Sequence, residues 1–232
     1  GGSVDVLWSL RGTQQADIPL NAGQSATLLD RGGAPSALPR AATARIAVGE
    51  HPLYVRQSAG GEQLFPETGQ SLRGRFLSYW QANGGLSILG LPLGPEQSAS
   101  DAGGRPISVQ YLERARLEYH PEAGDQVLLG LLGVETLARR GVDWRALPAV
   151  DGAATGCRYF PETRHSLCPP FRAFWERNGG LRVFGLPISE PAPEVSADNG
   201  KTYSVQYFER NRFEAHPDGV LLGRLGAELM PK

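Results

Sequence analysis

Four glutamates are the residues of this chain whose spacing first suggests chemistry. Glu113 and Glu118 stand five apart in Val109-Gln110-Tyr111-Leu112-Glu113-Arg114-Ala115-Arg116-Leu117-Glu118-Tyr119-His120-Pro121, and Glu209 and Glu214 hold the same places in Val205-Gln206-Tyr207-Phe208-Glu209-Arg210-Asn211-Arg212-Phe213-Glu214-Ala215-His216-Pro217. Glycoside hydrolysis uses two carboxyl groups about 5 to 10 Å apart, a separation such pairs could reach across a hairpin. Arginines alternate with them, however, so the stretch reads first as a charge lattice on adjacent strands. Ser71 and Ser166 could be nucleophiles with His165 as base, but the first segment has Gln70 where the second has His165, which excludes a shared mechanism. Helix capping accounts for the serines. His120 and His216 each precede proline without a Cys or carboxylate cluster at ligand spacing, and read as structural hydrogen-bonding residues, not metal ligands. The Gly103-Gly104 pair lacks phosphate-loop spacing. No catalytic residue, metal or cofactor is expected.

Cys157 and Cys168 are the only cysteines, with ten residues between them. A bridge closing so short a loop would stabilise the fold by about 2 to 3 kcal/mol. Two free thiols, or a zinc site leaning on His165, are the competing readings; zinc wants about four ligands. The matching positions in the earlier segment are Glu62 and Arg73, whose opposite charges predict a salt bridge in the place of the disulfide. A disulfide would place the chain in an oxidising compartment, secreted or on a surface.

The positions just compared belong to a duplication. Phe65-Pro66-Glu67-Thr68 returns as Phe160-Pro161-Glu162-Thr163 and Asn83-Gly84-Gly85-Leu86 as Asn178-Gly179-Gly180-Leu181; between 64–94 and 159–189, 15 of 31 positions are identical. A repeated module favours a binding or structural role, because avidity profits from two copies whereas catalysis needs one asymmetric constellation.

In each copy Leu72, Phe76, Tyr79 and Trp80, or Leu167, Phe171, Phe174 and Trp175, fall on one helical face, with Ser71 and Ser166 as expected caps. This phase puts both tryptophans in the core. Residues Leu86 to Leu93 and Leu181 to Ile188 read as a strand entering a Gly-Leu-Pro turn. The Glu-rich segment reads as a β-hairpin with Glu-Arg-x-Arg at its tip, Asn211 supplying a positive φ. A Leu-Leu-Gly strand and a short Leu-Gly-x-Glu helix close each copy. Upstream, residues 4–8, 16–20, 25–29, 44–48 and 52–56 read as strands, with turns at Asn21-Ala22-Gly23, Arg31-Gly32-Gly33 and Gly49-Glu50.

The net charge is −1 with Lys and Arg scattered singly, so there is no basic stripe to neutralise phosphates and nucleic acid is not an expected partner. The apolar runs are short and broken by glycine, far below the roughly 20 residues of a membrane span. The fold class is therefore α+β, mainly β. The expected layout is a small β-sandwich or sheet over 1–57, a hairpin-plus-short-helix module over 58–137, a linker over 138–156 and a homologous module over 157–232.

The Phe-Pro-Glu-Thr segments, the Cys-bracketed loop and the Val-Gln-Tyr-Phe-Glu-Arg hairpin resemble tandem repeat modules appended to secreted bacterial hydrolases. More distantly, Leu89-Gly90-Leu91-Pro92 and Phe184-Gly185-Leu186-Pro187 resemble the LGFP repeat of bacterial envelope proteins, with Leu where that family has Phe. Val4-Asp5-Val6-Leu7-Trp8, Leu28-Leu29-Asp30-Arg31-Gly32-Gly33 and His51-Pro52-Leu53-Tyr54-Val55 resemble the C-terminal accessory β-sandwich of secreted glycoside hydrolases. These likenesses imply an extracellular accessory protein holding a polysaccharide, either cell-wall glycan or enzyme substrate. The expected contact residues are Tyr111, Glu113, Arg114, Tyr119, Tyr207, Glu209, Arg210 and Asn211 at and beside the hairpin tips. The rival reading is a module docking a catalytic domain or surface protein; a glycoside hydrolase fragment comes third.

Overall fold

A computed structural model describes residues 3–19, 25–32, 35–38, 43–58, 61–123, 126–152, 154–196 and 199–231. It divides into two compact units, residues 1–64 with 71–78, and residues 65–70 with 79–232.

The first unit is built on antiparallel strands. β1 (Ser3–Leu7), β2 (Gln14–Pro19), β3 (Ser25–Leu29), β4 (Pro35–Ala37), β5 (Thr43–Val48) and β6 (Leu53–Ser58) form one sheet of order β1-β6-β3-β4 and a ribbon β2-β5. The strict alternation of β5 turns Ala44, Ile46 and Val48 inward, where they pack with Ile18 and Val55. All five expected strands are present within a few residues; the turn expected at 21–23 lies outside the described residues. β7 (Glu62–Phe65) and β8 (Gln70–Arg73) then form a ribbon, and Arg73 meets Glu62 at 2.7 Å as expected.

The chain continues through α1 (Gly74–Ala82), α2 (Gly85–Ile88), β9 (Gln97–Ser100), β10 (Pro106–Tyr111), β11 (Arg116–His120), β12 (Gln126–Leu129) and α3 (Leu132–Arg139). The second copy repeats this order with β13 (Arg158–Phe160), β14 (His165–Leu167), α4 (Phe171–Arg177), α5 (Gly180–Phe184), β15 (Ala192–Val195), β16 (Thr202–Tyr207), β17 (Arg212–His216), β18 (Gly219–Leu222) and α6 (Leu225–Leu229). Each copy holds a four-stranded antiparallel meander, β9 to β12 and β15 to β18. The hairpin registers match, Tyr111 opposite Arg116 and Tyr207 opposite Arg212. The expected α+β, mainly β, class is the observed one.

Three local expectations are corrected. The stretches after Asn-Gly-Gly are short helices, α2 and α5, not strands: Gly84 at φ 88 and Gly179 at φ 105 reverse the chain so tightly that a new helical turn starts at once. Ser71 and Ser166 lie in strands β8 and β14, and Pro170, not Ser166, stands immediately before α4. Asn211 has no positive φ, and its side-chain amide donates to the carbonyl of Arg114 in the other copy.

The two copies are tied by reciprocal helix exchange. The N–H groups of Gly133 and Val134, at the start of α3, donate to the Glu209 carbonyl at the second copy's hairpin tip. In the mirror arrangement Ala227 of α6 donates at 3.1 Å to the Glu113 carbonyl of the first. A helix's first N–H groups have no partner within it, so each hairpin tip caps the helix of the other copy. Past that cap, Leu137 of α3 packs with Ile188, Val205 and Tyr207 of the second copy, while Leu225, Leu229 and Met230 pack with Ile107, Val109 and Tyr111 of the first. Residues Val142, Trp144 and Leu147, in the stretch expected as linker, join the second copy's core. Gly133 and Gly226 sit so close to the opposite hairpins that an added methyl would overlap the carbonyl oxygens of Phe208 and Leu112.

Within the second copy, Phe213 is ringed by Phe171, Phe174, Phe184 and Phe208 at centroid distances of 4.1 to 6.0 Å. Trp80 and Trp175 stack edge-on against Phe65 and Phe160 and donate from Nε1 to the carbonyls of Gly90 and Gly185 at 2.9 and 3.0 Å. They are packing residues, as their phase predicts. The disulfide joins Cys157 to Cys168 as expected.

Gly133→Ala and Gly226→Ala should each destabilise this unit by about 1 to 3 kcal/mol or more through overpacking, read as a lowered thermal midpoint with both copies melting together. Replacing both cysteines by serine should cost about 2 to 3 kcal/mol, whereas Arg73→Ala, which breaks the exposed ion pair at the equivalent place, should cost less than about 1 kcal/mol in denaturant unfolding.

Candidate functional site

The hairpin tips, expected to be the contact surface, are turned into the fold. Glu113 and Glu209 accept from the N–H groups of Leu91 and Leu186 at 3.1 and 2.9 Å, pinning the Gly-Leu-Pro turn of their own copy. Arg114 and Arg210 donate to the carbonyls of Leu86 and Leu181 on α2 and α5. Tyr111 and Tyr207 are 8% and 3% exposed, so neither offers a ring face for stacking. Tyr119 is half-buried in β11, and Asn211 is buried between the tips. The structure therefore gathers Glu113, Arg114, Glu209, Arg210 and Asn211 at the junction of the copies, and sets Tyr111 and Tyr207 apart in two cores.

A charge lattice forms, but it runs along one strand to a helix, largely buried, and not across adjacent strands as expected. Arg116 bridges Glu118 of its own strand and Glu135 of α3, and Arg212 bridges Glu214 of its own strand and Glu228 of α6, while His120 and His216 approach Glu118 and Glu214 of the same strands at 3.0 and 3.1 Å. Burial works against both guanidinium charges, and the carboxylates around them more than restore it, holding each above the ordinary arginine range.

A cleft of about 320 Å³ opens on one side of this lattice, beside the second copy. Its floor is Arg212 and Glu214; its rim carries Arg140 from the end of α3, Glu194 from β15, and Arg224 and Glu228 from α6, with Val195, Tyr203 and Val205 as the apolar wall. Arg140 donates to the Tyr207 hydroxyl at 2.6 Å and to Glu194 at 3.2 Å, and the Tyr207 hydroxyl donates to Glu194 at 3.1 Å. Tyr203 is held by stacking on His216 at 3.7 Å between centroids. Arg224 reaches Glu113 of the first copy at 3.0 Å. Burial, with the Glu194 charge, pushes the Tyr207 hydroxyl up to about 12 against the pull of Arg212 and Arg140.

Identities between the copies do not mark Glu194, Tyr203 or Arg224; differences between the copies do. In the first copy Leu131 stands in place of Arg224, Ile107 of Tyr203 and Ala99 of Glu194, so the rim cation, aromatic wall and rim anion are not repeated there. Trp8, 59% exposed in the first unit, is a second candidate that sequence reading passed over.

The cleft does not suit acid-base catalysis. Glu194, Glu214 and Glu228 each already accept from a guanidinium, so the pair of carboxyls in contrasting environments that hydrolysis requires is not formed. A metal is no better served. Among the described residues Asp101, His120 and Glu122 bring ligand atoms within 4.8 Å of one another. Asp101 is taken by the N–H groups of Gly103 and Arg105 and by the Arg105 guanidinium, which occupies the place a cation would need. No helix is long and apolar enough to cross a membrane among the described residues. No known family model matches the chain, and no curated protein is significantly similar to it.

An unfolded tyrosine ionises near pH 10, so the stability contributed by Tyr207 is whole below that value and falls as pH rises towards about 12. Tyr207→Phe should flatten the decline of unfolding free energy across this window, leaving a residual slope from Tyr79, whose hydroxyl burial also raises.

Proposed function

We propose that this chain is an extracellular, non-catalytic accessory protein that binds a polysaccharide, cell-wall glycan or the substrate of a partner enzyme. The cleft beside the second copy carries the reading. Sugar hydroxyls are donors and acceptors at once, and a wall that alternates guanidinium with carboxylate beside an aromatic ring answers both needs. Its volume of about 320 Å³ lies at the small end of ligand clefts, suited to one sugar unit or a chain end. The exposed Trp8 adds a stacking surface of the kind glycans use. The cystine supports an oxidising, extracellular setting. The likeness to repeat modules of secreted hydrolases points the same way.

Protein docking is the second reading, favoured by Leu86 and Leu181, which stand out at equivalent positions, 55% and 53% exposed. Arg182 draws the two Asn-Gly-Gly-Leu turns together by donating to Asn83.

Retention of the chain on a panel of insoluble polysaccharides and purified cell wall is the test. Tyr203→Ala and Arg224→Gln should each weaken retention severalfold, and Trp8→Ala should do so separately. A chain that is retained by no polymer would sink the glycan reading and put docking first, with Leu86→Asp and Leu181→Asp as its probes.

A further inference from the structure

The charges around the cleft are balanced and only partly spent on one another. Three arginines, Arg140, Arg212 and Arg224, face three glutamates, Glu194, Glu214 and Glu228. On the floor Arg212 and Glu214 are 12% exposed each and closely paired at 2.8 Å. The rim is looser. Arg224 is 50% exposed, Arg140 43%, Glu228 39% and Glu194 32%. Glu228 meets Arg212 at 3.1 Å but stands 3.9 Å from Arg140, and Arg224 pairs outward with Glu113, so the rim pairs can open while Arg212 keeps Glu214 and Glu113 keeps Arg114. The mouth thus presents two accessible cations and two accessible anions.

From this balance, and resting on the glycan reading above, we infer that the cleft selects a sugar unit bearing both an ammonium and a carboxylate, and that each chain binds one such unit. A ligand of a single sign would satisfy one half of the rim and crowd the other with like charge. A neutral ligand must displace charge-assisted pairs in exchange for weaker neutral hydrogen bonds. A bipolar ligand exchanges one pair for another: its carboxylate meets Arg224 and Arg140, its ammonium meets Glu194 and Glu228, and no charge loses its partner. The single site follows from the substitutions Leu131, Ile107 and Ala99, which remove a rim cation, the aromatic wall and a rim anion from the first copy. The duplication therefore supplies a frame for one asymmetric site.

Calorimetric titration of the full chain with four ligands on the same ring skeleton tests this: glucose, glucosamine, glucuronate and 2-amino-2-deoxyglucuronate. The bipolar sugar should bind at least tenfold tighter than the other three, with one site per chain. Arg224→Gln should bring its affinity down towards that of glucosamine, and Glu194→Gln towards that of glucuronate. Equal or tighter binding of any of the other three, two sites per chain, or no binding by any of the four would overturn the inference. Retention on a polysaccharide that survives such a result leaves the glycan reading standing; loss of both removes the two together.

Discussion

Two backbone contacts hold the larger unit in its form: the Glu209 carbonyl on the N–H groups of Gly133 and Val134 in α3, and the Glu113 carbonyl on the N–H of Ala227 in α6. Each joins a hairpin tip of one copy to a helix start of the other, and each requires a glycine where the two backbones touch. From these contacts the rest follows. The helices are aimed across the copies, Leu137 and Met230 reach foreign sheets, and the tips are fixed in place by the same glutamates whose side chains pin the Gly-Leu-Pro turns. The Glu-Arg-x-Arg motif, which looks like a ligand-facing tip, is an internal joint.

Electrostatics then sets the two copies apart. Both keep a buried Arg-Glu lattice on the sheet, Arg116 with Glu118 and Arg212 with Glu214. Around the second lattice the helix exchange brings Arg140 from the first copy's helix end against the Tyr207 hydroxyl and Glu194. The cleft is therefore a product of the joint between copies, built partly from each.

Much of this fold is legible in the residues. The repeat, the hairpins, the cystine and its salt-bridge counterpart at Glu62 and Arg73 are carried by spacing and by residue pairs, which survive translation into structure. Helices α2 and α5 were not legible because four or five residues are too few for a 3.6 period to separate from a strand. The helix exchange leaves no mark in a single copy, since Leu132 and Leu225 would be equally apolar whichever sheet they covered. The cleft escaped for a related reason: its residues come from five separate stretches, and Glu194, Tyr203 and Arg224 are positions at which the copies disagree.

The reciprocal glycine joints have the form of a contact between identical subunits. A single copy of this module, with its hairpin tip offering a carbonyl and its helix start offering N–H groups, is complementary to itself about a two-fold axis, the geometry of an isologous homodimer. The chain has that dimer's interface written into one polypeptide. Two halves within one polypeptide are free to differ, unlike the subunits of a homodimer, and they do so where Arg224, Tyr203 and Glu194 face the cleft on one side only.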